Sequence, residues 1–366
     1  MAVADRLVGT LEDFPHVTEE GVWTSRDDLS WMSGYWVGLL WLRYLERPSE
    51  RVMVEARRWL ARLASAQHRD DNVDACFVFE SSFVRGFRIS GDRVFRDVGV
   101  QAARSLAARF QAGPDALDRG EPAGSISVDC TAGLSLLAWA DPYAVDAGLE
   151  SIARRTSRTL RTVLIRKDGS TRDIALFPVM PGSEFGWRQW QAASQDSCWA
   201  RGHALAVYGF LQLGLLTDDQ GSVEIAARLA DFALRSLPVD ALPYWDLMLP
   251  NPEGEPRDAS AAAILASALI DLGDCVPDPP RQRRYRAGAT RLLLALADSC
   301  LADDEPEPAR ILRYGSTGLS REGRENESSM VADHFFVEAL TKLLRPDRRR
   351  LLDAAGDRAV FSLPPV

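Results

Sequence analysis

Apolar residues return at three- and four-residue intervals in stretch after stretch of this chain, and scarcely anywhere at intervals of two. Trp36, Leu39, Leu40 and Leu42 show the pattern, as do Val54, Trp59, Leu60 and Leu63. That spacing places apolar side chains on one face of an α-helix, whereas a half-buried strand needs alternation. It recurs through Val98 to Phe110, Leu134 to Ala140, Leu149 to Leu164, Ala204 to Leu216, Ser222 to Leu237, Ala259 to Leu272, Tyr285 to Leu301 and Met330 to Leu344. These windows hold few glycines and almost no proline, so an all-α fold is expected. Phe77 to Phe87, although rich in β-formers, is also assigned to helix, and any sheet is expected to be accessory.

The helical windows are separated by Ala112 to Ser127, Phe177 to Ser197, Pro243 to Asp258 and Leu301 to Glu327, segments rich in Gly, Pro, Asp and Ser. Connections beyond about 12 to 15 residues are uncommon in compact domains unless they serve function or are disordered. These carry Trp187, Trp190, Tyr244, Trp245 and Tyr314, aromatics suited to line a pocket. At about 60 residues for each pair of helices with its loops, the chain has room for roughly six hairpins. That number fits an α/α toroid with its site at the ends of the inner helices. No segment marks a domain boundary, so residues 1–366 are expected to form one domain.

With 46% hydrophobic residues among 366, the chain can bury a large core without disulfides or metals. Its formal net charge of −9 argues against a nucleic-acid partner, which needs a basic footprint. Cys76, Cys130, Cys198, Cys275 and Cys300 are odd in number and far apart, with no C-x-x-C pair, so neither a zinc site nor a disulfide framework is expected. No apolar run approaches the roughly 18 residues of a membrane span, and the N-terminus lacks the apolar stretch of a secretory signal. The expectation is a soluble cytoplasmic protein, monomer or homodimer, without a membrane partner. There is no G-x-S-x-G elbow, P-loop or dinucleotide fingerprint.

Four clusters could carry chemistry. Trp31, Tyr35 and Trp36 open an apolar helix beside Gly34, where core packing and a sugar-stacking platform are equally open. Asp74 follows Asp70, Asp71 and Asn72 and precedes Ala75 to Phe79, where N-capping is the simpler role. Asp129, in Ser127-Val-Asp-Cys-Thr-Ala-Gly, is a lone acid opening an apolar helix; burial there would move its pKa towards that of a general acid. The most distinctive run is Gln191-Ala-Ala-Ser-Gln-Asp-Ser-Cys-Trp-Ala-Arg-Gly-His203. Its Arg201 suits a carboxylate clamp unless a buried pair with Asp196 occupies it, and Trp199 stands beside it. A further block, Pro243-Tyr-Trp-Asp246 through Ala263, is expected to be scaffolding, with Asp258 and Ser260 as caps. His16 and His334 lack partners at metal-ligand spacing and receive no role.

Taken together, these blocks resemble the unsaturated glucuronyl hydrolases and the related unsaturated rhamnogalacturonyl hydrolases. The likeness runs from Phe14-Pro-His16 to Ala332-Asp-His-Phe-Phe-Val-Glu-Ala-Leu340 in family order. It implies an (α/α)6 barrel with no cofactor and a small uronic-acid-containing sugar as substrate. It further implies that Asp129 protonates C4 of a 4,5-unsaturated uronate and activates the water that adds at C5, with Asp74 assisting. Gln191 and Arg201 would contact the sugar, joined in the pocket by Trp31, Trp36, Trp199 and Asp173. The family pattern has His where this chain has Val73, His at the position aligned with Asp173, and Trp where it has Leu205. Asp173 would repel a substrate carboxylate unless protonated or paired, for example with Arg172. These departures keep open a uronoside on a small aglycone, processed by hydration or elimination, and a sugar-binding barrel without catalysis.

Overall fold

The computed structural model describes residues 2–26, 30–70, 75–145, 148–179, 183–302, 309–314 and 327–352. After the short helix α1 (Ala2–Leu7) and the hairpin β1 (Phe14–Glu19) and β2 (Val22–Arg26), the chain becomes a succession of helical hairpins. The first pairs α2 (Ser33–Glu46) with α3 (Glu50–Leu63). The second pairs α4 (Ala75–Phe79) and α5 (Arg85–Ser90), joined by a π turn over Glu80–Val84, with α6 (Arg93–Ala107). Short strands β3 (Phe110–Gln111), β4 (Ala116–Leu117) and β5 (Ser125–Ser127) precede the third hairpin, a 3-10 turn Val128–Gly133 leading into α7 (Leu134–Ala140) and then α8 (Leu149–Val163). Strands β6 (Ile174–Leu176) and β7 (Gly186–Arg188) follow. The fourth and fifth hairpins are α9 (Ala200–Thr217) with α10 (Gln220–Ser236), and α11 (Ala259–Cys275) with α12 (Pro279–Ser299). Finally α13 (Met330–Leu344) packs between α11 and α2 and closes the ring.

The layers follow from side-chain chemistry. In α9 and α11 nearly every residue is buried, whereas α3, α8, α10 and α12 bury one stripe and give their charged residues to solvent. A helix apolar on all sides belongs inside a ring, and an amphipathic one belongs on its rim. Glycines permit the tightest inner contacts: a Cβ on Gly34 would lie 2.3 Å from the Val78 carbonyl oxygen, and one on Gly209 would lie 2.4 Å from the backbone of Thr131. Asp92, Asp219, Asp258 and Asp278 each accept a hydrogen bond from a backbone N–H in the first turn of α6, α10, α11 and α12. The Phe77 to Phe87 segment is helical, as its sequence suggests, with the π turn inserted.

Trp36 corrects the sequence expectation. It has no accessible surface and meets Trp59 of α3 edge-on at 6.3 Å, so no ligand can touch it and it is not a platform. One residue is a 100° step around a helix, and that step turns Trp36 to the outer layer while Tyr35 faces inward. Its Nε1 is buried without an acceptor, so the need of a buried indole for a partner was no guide to its place. Among the described residues no helix is long and apolar enough to cross a membrane.

Candidate active site

Trp31, just before α2, packs against Phe77 of α4 and lies 5.7 Å from Arg201 in the first turn of α9, so the N-terminal ends of these inner helices gather at one mouth of the ring. There the three-stranded antiparallel sheet β5-β6-β7 fixes a cleft. Ser127 pairs with Ile174, and Val128 N–H donates to the Asp173 carbonyl at 2.8 Å, so the backbone just before Asp129 is tied to that of Asp173. Ile174 pairs in turn with Arg188, which brings the segment 189–192 over the same place. The cleft is lined by Arg119, Ser127, Asp129, Asp173, Trp190, Gln191 and Trp199.

Asp129 is half-buried in the 3-10 turn before α7. It is not a helix cap. Its Oδ1 accepts from the Ser127 hydroxyl at 2.5 Å, and that hydroxyl also lies 3.0 Å from Cys130 Sγ. Beneath it, Tyr35 is buried in an inner cavity shared with Cys76, Ala132, Leu205, Tyr208 and Glu338. Burial above all, with Cys76, Glu338 and Asp129 adding repulsion of a phenolate and Arg201 opposing them, holds the Tyr35 hydroxyl well above its ordinary pKa. Tyr35 is therefore a neutral floor to the acid site, and its place in the aromatic run was the only sequence signal for it. Leu205 belongs to this inner cavity, not to the cleft lined by Asp129.

Asp173 is handled unlike an ordinary pocket carboxylate. Its Oδ2 accepts from the backbone N–H groups of Trp190, Gln191 and Ala192 at 3.1, 2.8 and 3.0 Å. Burial, reinforced by nearby Asp129 and opposed by the three amides, pushes its pKa up to about 6. It is ionised at neutral pH, and its charge is spent on holding the loop that presents Gln191 and Trp190. The suggested pairing with Arg172 is not found. Arg172 instead lies over the Trp187 ring, 4.3 Å from its centroid, and faces Asp196 electrostatically.

Arg201 is buried in the first turn of α9, with its guanidinium 5.2 Å from the Trp199 ring and 5.7 Å from that of Trp31. Asp196 is exposed in the preceding loop, so the buried Asp196–Arg201 pair does not form. Trp31 is half-buried and packs edge-on against Tyr35 and Phe77. A Cβ on Gly202 would come within 2.3 Å of the Trp199 ring, which explains a glycine directly after Arg201. Asp246 is a second loop anchor: its carboxylate accepts from Ala193 N–H at 2.9 Å, Met248 N–H at 2.8 Å and Cys198 N–H at 3.2 Å. The Pro243 to Asp258 block is scaffolding, and Asp258 caps α11 with Ser260 donating to it.

Asp74 and Val73 lie outside the described residues. His203 is not in the cleft. Its Nε2 donates to the Leu229 carbonyl at 3.0 Å and its Nδ1 accepts from the Thr171 hydroxyl at 3.2 Å, and burial lowers its pKa to about 4. His334 is likewise internal, donating from Nδ1 to the Tyr35 carbonyl at 3.1 Å and facing Arg85 with Nε2. Among the described residues no group of three His, Cys, Asp or Glu side chains could hold a metal ion.

The arrangement offers one half-buried carboxylate, a buried arginine stacked on tryptophan, an amide side chain and aromatic walls. The positive ends of α9 and its inner neighbours point towards the same mouth, which favours an anionic ligand there. Such a site suits proton transfer to and from a small polar anion.

No protein-family model matches the chain. It is 28% identical over 344 residues to the unsaturated glucuronyl hydrolase of Bacillus sp. (strain GL1), covering 91% of each chain. It is 25% identical over 344 residues to the unsaturated chondroitin disaccharide hydrolase of Streptococcus pneumoniae (strain ATCC BAA-255 / R6), covering 91% of this chain and 87% of that one. Its fold superposes on the crystal structure of the Bacillus sp. GL1 unsaturated glucuronyl hydrolase, responsible for glycosaminoglycan degradation, with a TM-score of 0.88 over 96% of each chain at 26% identity.

Proposed function

We propose, for a chain that is a glycoside hydrolase of the unsaturated glucuronyl hydrolase family, that it releases a 4,5-unsaturated uronic acid by hydrating the C4=C5 vinyl ether, with Asp129 as general acid and base. The carboxyl proton of Asp129 goes to C4. A water adds its oxygen to C5 and returns a proton to Asp129. The resulting hemiketal collapses and the leaving sugar departs. This is addition to a double bond, so the spacing rule for paired glycosidase carboxylates does not govern it, although the requirement for a proton donor at the reacting carbon does.

One observation carries the reading: Asp129 lines one cleft with Gln191 and Trp199, and the buried Arg201 guanidinium lies 5.2 Å from the Trp199 ring centroid. In this role Arg201 balances the uronate carboxylate, and Trp31 braces it. Asp74 is assigned as the assisting acid on family resemblance. The acid at position 173, which argued for an unusual substrate, loses that force because loop amides hold its Oδ2.

Loss of the vinyl-ether absorbance of unsaturated uronosyl disaccharides tests the proposal. Asp129→Asn should lower kcat by at least about 10²-fold, the usual scale of one acid–base group, while the disaccharide still binds. Turnover that survives the substitution would remove Asp129 from the chemistry.

A further inference from the structure

Two acids line the cleft and are supplied with hydrogen-bond donors unequally. Asp173 holds three loop amides on its Oδ2. Asp129 receives one donor, the Ser127 hydroxyl, at 2.5 Å from its Oδ1. Among the described residues nothing else hydrogen-bonds the Asp129 carboxylate, so Oδ2 is the oxygen left for a ligand in the cleft that the two residues line together.

Ser127 is diverted from the work its place would give it. It precedes the 3-10 turn Val128–Gly133 with extended backbone, the N-cap position at which a serine oxygen ordinarily accepts from a backbone N–H of the first turn. No such cap bond forms, and the hydroxyl is spent on the carboxylate two residues on. Its backbone is fixed by pairing with Ile174, and the following N–H, of Val128, donates to the Asp173 carbonyl at 2.8 Å. Behind the hydroxyl, Cys130 Sγ lies 3.0 Å from the Ser127 oxygen. An ionised carboxylate has no proton to give, so Ser127 is the donor to it and the Cys130 thiol is the donor to Ser127. Ser127 and Cys130 are buried, which shields this chain of thiol, hydroxyl and carboxylate from competing water.

We infer that Ser127 is a positioning residue for the proton transfer, holding Oδ1 of Asp129 so that Oδ2 both delivers the proton and takes it back. The inference rests on the proposed hydrolysis at Asp129. The π pair of C4=C5 takes the proton from Oδ2, and the electron pair of the broken O–H bond stays on the carboxylate. The water oxygen then bonds C5 and returns one of its protons to Oδ2. Between those events the Ser127 hydroxyl faces a full negative charge, and a hydrogen bond to a charged acceptor is stronger than one to a neutral acid. Stabilisation that grows on the way to the transition state raises kcat and leaves ground-state binding alone.

The test reads kcat and KM separately, from the vinyl-ether absorbance of an unsaturated uronosyl disaccharide, in the native chain and in Ser127→Ala, Ser127→Val and Ser127→Thr. Valine and threonine share a shape and differ by the hydroxyl. Ser127→Ala and Ser127→Val should lower kcat about 10- to 100-fold, the scale of one hydrogen bond to a charged group, with KM little changed. Ser127→Thr should recover most of what Ser127→Val loses. A serine that only packs the turn would make the isosteric pair alike and shift KM, since β5 also ties down Asp173 and its loop. Equal kcat in that pair, a change in KM alone, or a native kcat in Ser127→Ala overturns the inference. Asp129→Asn is measured beside them. Turnover that survives it sinks hydrolysis at Asp129 whatever Ser127 does, whereas loss in Asp129→Asn with native kcat in Ser127→Ala removes Ser127 alone.

Discussion

Buried charge is managed differently at the two mouths of the ring. At the cleft, where the inner helices begin, Asp173 and Asp246 are satisfied by backbone amides of the loops above them. From the middle of the ring to the other mouth, where those helices end, carboxylates are satisfied by cations. Lys342 is fully buried and reaches Asp271 at 2.6 Å and Glu338 at 3.2 Å, and Arg85 pairs with Glu338 from α5. Ser267 donates to Glu338 at 2.7 Å, and Arg349 covers Asp271 from outside at 2.7 Å. Burial alone would raise the Glu338 carboxyl, but Lys342 and Arg85 hold it well below the usual range. Amides held by an acid fix the path of a loop; cations held by acids lock helices to one another. One mouth is thus built for placement and the other for cohesion.

The largest effect expected from that contrast is on stability. Lys342→Met leaves Glu338 and Asp271 short of their common cation and should cost about 3–5 kcal/mol, the penalty for breaking a buried pair from one side, read from denaturant midpoints. Turnover per folded molecule should stay near that of the native chain, and an equal loss of activity would mean the two mouths are not separate in function. At the cleft the balance should invert. Asp173→Ala orphans three amides and should lower kcat/KM about 10- to 100-fold, the scale seen when a supporting contact is lost, with a stability loss of only about 1–3 kcal/mol. Asp173→Asn, which still offers an oxygen to the loop, should recover part of the activity.

The pH dependence sharpens the comparison. Asp333, at the start of α13, accepts from Ile311 N–H at 3.1 Å and Leu312 N–H at 2.9 Å, and burial pushes its pKa up to about 7. For Asp333 and Asp173 the folded chain binds the proton more tightly than the unfolded chain. Their contribution is therefore fully present below about pH 4, the ordinary carboxyl value, and is lost as pH rises through about 6 for Asp173 and about 7 for Asp333. His203 works in the opposite sense, its contribution present above about pH 6.5 and lost as pH falls through about 4. Asp333→Asn should flatten the decline between pH 6 and 7 by about 1 kcal/mol in thermal melts run across that range. Smallest of all, Arg172→Ala removes an exposed contact with Trp187 and should cost under about 1 kcal/mol, with kcat/KM unchanged.

What the sequence disclosed followed from period and burial. Leu134 to Ala140 and Leu149 to Leu164 coincide with α7 and α8 almost to the residue, since their apolar positions and their boundaries agree. The Tyr285 to Leu301 window misses the start of α12 at Pro279, because its first turns are charged and exposed; Asp278 followed by proline was the available start signal. The strands that set Asp129 beside Asp173 are three residues long, too short for alternation to register, and their partners are about 50 residues apart. Asp129, Gln191 and Arg201 were legible as unusual polar residues in apolar or aromatic runs. The geometry that makes Asp173 a loop anchor and buries Trp36 depends on contacts with distant elements, which no local pattern encodes.

The docking of α13 between α2 and α11 has a consequence for the order in which the molecule can be made. Thr18 N–H donates to the Ser328 carbonyl at 3.0 Å, a contact across 310 residues of chain, and the helix that begins two residues later delivers Lys342 and Glu338 to Asp271 and Arg85. A ribosome supplies these last. Until then five hairpins form an open arc whose inner wall carries an arginine and an aspartate with no counter-ions, charges that cannot be dried without partners. That stretch of the inner wall can be dried only once α13 brings Glu338 to Arg85 and Lys342 to Asp271, which makes α13 the keystone of the ring.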